Sequence, residues 1–420
     1  MPSVIDPEKL LPRPKQLFWK GEYLTLGQRS MEILSCPDAA WMPAWWEQGN
    51  HHDQSTAAGG LAIHLSSLIL PETVRALLQG WGWLDQVKML ENEEAYLLAI
   101  GPQAKGIAAV IVARTSRGAA WGLRRILQLA GTMQPNSATL SQPLLLPKLC
   151  LRDAPDFPLR GIIEGFYGAP WTHEKRLAMI HFLGETMMNS YAYAPKDDPY
   201  HRQRWRDAYP ENAWRDLGEL VAACRREGVN FWFCISPGKD IVFSKEADLA
   251  ALCDKCAAVE GLGVSHFALL MDDIDPRLSN ASDQQRFTSP AAAQASLANR
   301  LYDFLRQRDP AVQLLFCPTE YWQPGDSPYR RTLRSTLQPE IGIFWTGIGV
   351  VAPQVSSADA AQAQAWFGHS LVLWDNYPVT DFDHSLLLLG PLRNRDAQLP
   401  ERLHGILANP MELAEASRFA

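Results

Sequence analysis

Residues 266–275 read HFALLMDDID. The apolar run Phe267–Met271 stops at two adjacent aspartates, Asp272 and Asp273. A short apolar run bounded by polar residues suits a strand buried on both faces. Such strands occur where helices cover a parallel sheet on either side. Seven more runs share this form: GIIEGF from 161, NSYAYA from 189, NFWFCIS from 230, QLLFCPT from 313, IGIFWTG from 341, LVLWDN from 371 and LHGILAN from 403. Longer amphipathic stretches lie between them, such as 173–185, 211–227 and 290–307. Eight strands alternating with helices over about 260 residues predict a (β/α)8 barrel, an α/β fold. A doubly wound open sheet is the runner-up. It lacks support, because no Gly-rich phosphate turn follows the first strand.

Working outward, residues 1–155 have a different character. Strand-like pieces at 60–65, 94–100 and 108–113 and helix-like pieces at 72–80 and 118–130 predict a small α/β domain. A polar, Pro-containing stretch, 135–158, reads as the connection to the barrel domain, 156–420. The chain has 420 residues, 47% hydrophobic and 20% charged, with a net charge of 39 − 46 = −7. That excludes a disordered chain. It carries no long basic run, so nucleic acid is not an expected partner, and no apolar run long enough to span a membrane. The first sixteen residues do not read as a signal peptide. Seven scattered cysteines fit reduced thiols and a cytoplasmic setting. Cys253 and Cys256 form a lone CxxC in a helical stretch, better read as buried helix than as zinc or redox chemistry.

A barrel carries its chemistry where strands end and βα loops begin. The unusual polar residues gather there: Glu164–Gly165, Lys196–Asp197–Asp198, Ser236, Asp272–Asp273, Glu320–Tyr321, Thr346, Asp375–Asn376 and Asn409. Each alone suits a turn or a cap. Together they place a ligand site at this rim. Successive strand side chains point to opposite faces, so a bend must follow Met271 if both aspartates are to reach the mouth. Neighbouring carboxylates repel, which favours a protonated acid beside an ionised partner. A helix N-cap and a metal cluster of Asp272, Asp273 and Asp275 are competing readings. Adjacent carboxyls straddle a sugar ring poorly, since a protein nucleophile and its acid sit on opposite sides of the ring. They suit a 2-acetamido sugar, which supplies its own nucleophile beside the leaving oxygen.

The runs RGIIEGFYGAPW (160–171), YAYAPKDDPYHRQRWR (191–206), ISPG (235–238), FALLMDDID (267–275), CPTEY (317–321), WTG (345–347) and LWDN (373–376) together resemble the catalytic barrel of glycoside hydrolase family 84. The resemblance covers about 160–410, with a weaker likeness of the first domain to that preceding the barrel in bacterial members. It implies a retaining exo-β-N-acetylglucosaminidase working through an oxazoline-type intermediate without metal or cofactor. It implies that Asp272 orients the acetamido nitrogen and that Asp273 is the general acid and later base. Tyr321 would steady the acetamide oxygen, Trp374 wall the N-acetyl pocket and Asn376 contact the acetamido and ring substituents. Gly165 and Lys196 would meet ring hydroxyls, and Asp381 and Asn409 the C4/C6 end. The expected partner is a GlcNAc-bearing glycoconjugate or glycoprotein. Asp197 and Asp198 are expected to be structural, pairing with Arg202 or Arg206. Many relatives continue into a helical domain. Here about ten residues follow Pro410, so a short final helix and either a truncated chain or a minimal member are expected. A GlcNAc-binding barrel without turnover and a metal-dependent hydrolase on the aspartate cluster are the alternatives.

Overall fold

The computed structural model describes residues 6–26, 31–37, 43, 60–104, 106–131 and 144–419. It divides into two compact units. The first reaches to Asp156 and takes in Glu185–Met187 and Arg226–Gly228. Its sheet comprises β1 (Gln16–Leu26), β2 (Met31–Ser35), β3 (Leu61–Ser66), β4 (Tyr96–Gln103), β5 (Gly106–Ala113) and β6 (Leu144–Asp153), in the order β1-β6-β4-β5-β3-β2. Strands β2, β3 and β5 run parallel, while β4 pairs antiparallel with β5 and β6. The central strands are buried on both faces. Tyr96, Leu98 and Ile100 meet the helix Ser116–Ala130, whereas Leu97 and Ala99 meet Val74 and Leu78 of the helix Glu72–Gly80. The longer helix starts at Thr115, whose hydroxyl accepts from Gly118 N–H at 3.3 Å, and stops at Gly131 in the left-handed conformation.

The expected connection at 135–158 is corrected here: Leu144–Asp153 is a strand, pairing with both β1 and β4. Residues 135–143 of that stretch, and 1–5 of the N-terminal stretch, lie outside the described residues. Pro147 lacks an N–H for the ladder, and the β1 partner shifts register between Trp19 and Tyr23 opposite it. The segment read as a connection because the stretch is polar and holds several prolines, of which Pro147 lies inside the strand.

The second unit is a closed barrel of eight parallel strands: β7 (Leu159–Glu164), β8 (Ser190–Tyr193), β9 (Asn230–Ile235), β10 (His266–Leu270), β11 (Gln313–Cys317), β12 (Gly342–Trp345), β13 (Leu371–Asp375) and β14 (Gly405–Ala408). Each strand is flanked by its sequence neighbours, and β14 pairs with β7 to close the ring. Alternate residues explain the near-continuous apolar runs. Ile163, Ala192, Trp232, Ala268, Leu270, Phe344 and Val372 fill the interior. Tyr191, Phe231, Phe267, Leu269, Phe316 and Leu373 pack outward under the helices. One repeat departs from the alternation. The segment 376–404, between β13 and β14, holds only a single 3-10 turn, Leu399–Glu401. The last helix, Ala414–Ser417, is one turn long. Among the described residues no helix is long and apolar enough to cross a membrane.

Candidate active site

A cavity opens at the C-terminal ends of the barrel strands. Gly165, Lys196, Asp272, Asp273, Tyr321, Trp374, Asn376, Asp381 and Asn409 all line it. The bend after β10 is what brings the two aspartates together. Met271 still extends the ladder, donating its N–H to Cys317 O at 2.8 Å. Asp273 then takes φ +52°, a left-handed conformation uncommon for a residue with a Cβ but tolerated by aspartate. The chain turns, and consecutive side chains reach the same cavity in different environments. Asp272 is buried, at 5% exposure, while Asp273 is open to the mouth.

The surroundings divide their tasks. Asp272 Oδ2 is bound by the ammonium of Lys196, itself only 4% exposed. Burial pushes that ammonium toward losing its proton. The charge of Asp272, the nearby Tyr167 and the hydrogen bond to Asp272 together more than offset this, and its pKa ends above the usual lysine value. Asp272 Oδ1 is also buried but accepts no hydrogen bond from any described residue. A buried carboxylate oxygen left unpaired is costly. It is an acceptor in place for a donor brought by a ligand. Asp273 has both oxygens engaged, Oδ1 by the Tyr321 hydroxyl at 3.0 Å and Oδ2 by the Tyr167 hydroxyl at 2.7 Å. Burial first, and then the Asp273 charge, hold the Tyr321 phenol well above its ordinary pKa, so it remains a donor.

The opposite wall is an amide relay. Gly165 N–H donates to Asn409 Oδ1 at 3.2 Å, Asn409 Nδ2 to Asn376 Oδ1 at 2.8 Å, and Asn376 Nδ2 to Val350 O at 2.7 Å. Asp381, on the helix-less segment, accepts from Tyr167 N–H at 2.7 Å. Trp374 forms an apolar wall, edge-on to Phe344 with ring centroids 5.5 Å apart. The ring also presses on the first loop. A Cβ built on Gly165 would lie 2.4 Å from Trp374 Cζ2, so only glycine fits.

Two readings are corrected, the metal cluster and the pairing of Asp197 and Asp198. Asp275 is drawn outward to Arg277, 2.9 Å from its backbone N–H and 3.1 Å from its guanidinium, and does not line the cavity. The three aspartates therefore do not converge on a metal position. Asp198 does not pair with Arg202 or Arg206. It accepts from the hydroxyls of Tyr193 at 2.9 Å and Tyr209 at 3.1 Å, and Asp197 accepts from Gly168 N–H at 3.2 Å. Arg206 turns instead to Asp240 and Asp248, each at 2.6 Å. Lys196, expected in the site, is there as the buried partner of Asp272. Cys253 and Cys256 are buried, with burial raising the Cys253 thiol to about 11.

The comparison of this chain with known proteins agrees with that geometry. The family model of beta-N-acetylglucosaminidases matches residues 160–420. The chain belongs to glycoside hydrolase family 84, the beta-N-acetylglucosaminidases. It is similar to the Protein O-GlcNAcases of Rattus norvegicus and Mus musculus, each 38% identical over 268 residues. That match covers 62% of this chain and spans 29% of either relative's length. Among solved structures it resembles CpGH84B, with a TM-score of 0.81 and 30% identity over 97% of this chain and 69% of the other. It also resembles a substituted O-GlcNAc hydrolase of Thermobaculum terrenum, with a TM-score of 0.61 and 37% identity over 63% of this chain and 57% of that one.

Sequence reasoning singled out no role for Tyr167, Cys317, Thr346, Val350, Val351 or Phe382, although all line the cavity. Tyr167 was within reach of the strand-end rule, standing two residues beyond Gly165. Val350, Val351 and Phe382 sit on long loops and leave no periodic signal.

Proposed function

We propose that this family 84 chain is a retaining exo-β-N-acetylglucosaminidase that removes terminal GlcNAc by substrate-assisted catalysis. The observation that carries this reading is Asp272: one oxygen locked to Lys196, the other buried without a donor among the described residues. A 2-acetamido N–H supplies that donor. Lys196 pairs with and fixes the carboxylate, so its second oxygen can polarise the N–H and aim the acetamide oxygen at C1. The acetamide oxygen forms the new bond to C1 as the glycosidic bond breaks, and Asp273 gives its proton to the departing oxygen. The product of this half is an oxazoline-type intermediate. Asp273, now a carboxylate, takes a proton from water as that water attacks C1, and the acetamide is restored. Two inversions give net retention.

Tyr321 stands where its hydroxyl can turn from Asp273 toward the acetamide oxygen as charge develops. Trp374 flanks the N-acetyl methyl, and Asn376 faces the acetamido and ring substituents. Gly165, Lys196, Asp381 and Asn409 serve the ring hydroxyls. Asp381 and the amide relay cap the far wall, which supports action on a terminal sugar of a glycoprotein or other glycoconjugate. All steps run on carboxyls, a phenol and the substrate's own amide, so the scheme calls for no cofactor. A cytoplasmic setting is the compartment that the scattered, odd number of cysteines in the sequence favours.

The test compares leaving groups. Asp273→Asn is expected to cut turnover of an alkyl β-GlcNAc by about 10²–10⁴-fold, the usual worth of a general acid. An activated aryl β-GlcNAc, which needs little acid help, is expected to lose much less in its first half-reaction. Equal loss on both, measured by the burst phase, would remove Asp273 from that role.

A further inference from the structure

The acid/base carboxylate is held by two phenols, and only one of them has a place in the scheme above. Tyr167 Oη donates to Asp273 Oδ2 at 2.7 Å and accepts from Arg202 Nη1 at 3.3 Å. The Arg202 guanidinium also lies over the Tyr167 ring, 5.4 Å from its centroid. Arg202 itself is buried. The backbone N–H of the same tyrosine holds Asp381, so Tyr167 ties together carboxylates from two different loops.

A phenol has one hydrogen and two lone pairs. With Arg202 donating to it, the hydrogen of Tyr167 is directed at Asp273 and is not shared with the guanidinium. That arrangement aims a hydrogen bond at the Asp273 oxygen and is kept when the leaving group has taken the proton. We propose that Tyr167 is a positioning residue for Asp273, fixing its carboxyl and easing release of its proton, and that Arg202 acts through Tyr167. The inference rests on the reading of Asp273 as the general acid. The charged and titratable groups around Asp273 are Asp272 on its own segment, Tyr167 after β7, Lys196 and Arg202 after β8, Cys317 and Tyr321 at and after β11, and Asp381 after β13. Of these only Tyr167 and Tyr321 donate a hydrogen bond to Asp273.

Removing one donor from a carboxylate makes the acid hold its proton more tightly. Tyr167→Phe is therefore expected to move the alkaline limb of the kcat/KM profile upward by about one pH unit, the scale of one charge-assisted hydrogen bond. At the wild-type optimum it should slow an alkyl β-GlcNAc by about tenfold while sparing a dinitrophenyl β-GlcNAc, because a weaker acid penalises only the poor leaving group. Arg202→Lys should move the limb in the same direction by less. Tyr167 is 39% exposed, so the phenylalanine variant is expected to melt with the wild type. Loss of rate on both substrates alike with the limb unmoved would overturn the proposal, and so would no change at all. Asp273→Ala separates the two readings. If the alkaline limb persists without Asp273, the general-acid assignment itself fails. If the limb disappears in Asp273→Ala but stays put in Tyr167→Phe, only the role of Tyr167 is lost.

Discussion

The end of β7 and the end of β10 each bury a carboxylate beside a cation, and the two differ in what remains unpaired. Glu164, at 0% exposure, has both oxygens filled. Arg176 donates to them at 2.8 and 2.9 Å, Tyr191 Oη at 2.5 Å and the Trp171 N–H at 3.3 Å. Asp272 meets only Lys196, and its second oxygen accepts nothing from any described residue. Burial and an ion pair are common to both, so neither marks function. What distinguishes Asp272 is an acceptor oxygen without a described partner on a carboxylate that lines the cavity, where a ligand can supply the donor.

That distinction can be broken by substitution. Glu164→Gln leaves Arg176 buried without its counter-charge and is expected to cost about 3–5 kcal/mol of stability, read by denaturant unfolding. The fraction that folds should keep most of its rate. Asp272→Asn also deprives Lys196 of its partner, so it too lowers stability. Its distinguishing effect is on the folded fraction, whose turnover of activated and unactivated substrates alike should fall about 10²–10³-fold. If both variants lost rate to the same degree, the contrast between a structural and a functional carboxylate would collapse.

A smaller effect concerns His201, fully buried near Lys196. Its Nδ1 lies 2.8 Å from Cys234 O, and its Nε2 has no partner among the described residues. Burial first, and then the Lys196 charge, lower its pKa from 6.5 to about 4. Between those values the unfolded chain binds a proton that the folded chain refuses. The contribution of this group is thus complete above about pH 6.5 and is lost as pH falls toward 4, amounting to about 3 kcal/mol at most. His201→Gln should flatten that part of the stability–pH curve relative to the wild type. An unchanged slope would show that the imidazole titrates normally.

The barrel was legible because its strands are buried on both faces, which writes each one as an unbroken apolar run such as Phe267–Met271. The site was legible in part because the fold concentrates polar residues at one set of strand ends. Gly165, Lys196, Asp272, Asp273, Tyr321, Thr346, Asn376 and Asn409 line the cavity, whereas Glu164, Asp197, Asp198, Ser236, Glu320 and Asp375 do not, and Asp381 was singled out by the family resemblance alone. What escaped was pairing at long range. Nothing local tells Arg206 to choose Asp240 and Asp248 over Asp198, since the choice depends on how the loops after β8 and β9 meet. Strand β6 hid behind Pro147, whose missing N–H is accommodated by a register shift in its neighbour. The left-handed turn at Asp273 was anticipated only as a bend, because the sequence shows the need for it and not its form.

The central claim is that Asp272 Oδ1 awaits the N–H of a sugar whose own acetamide oxygen attacks C1. It is tested most directly by replacing the hydrogens of the N-acetyl methyl group with fluorine in a series of aryl substrates. The account predicts that kcat/KM drops steeply and steadily from acetyl to trifluoroacetyl, as the acyl oxygen becomes a poorer nucleophile. A rate indifferent to fluorination would contradict it and point to a nucleophile supplied by the protein or by water.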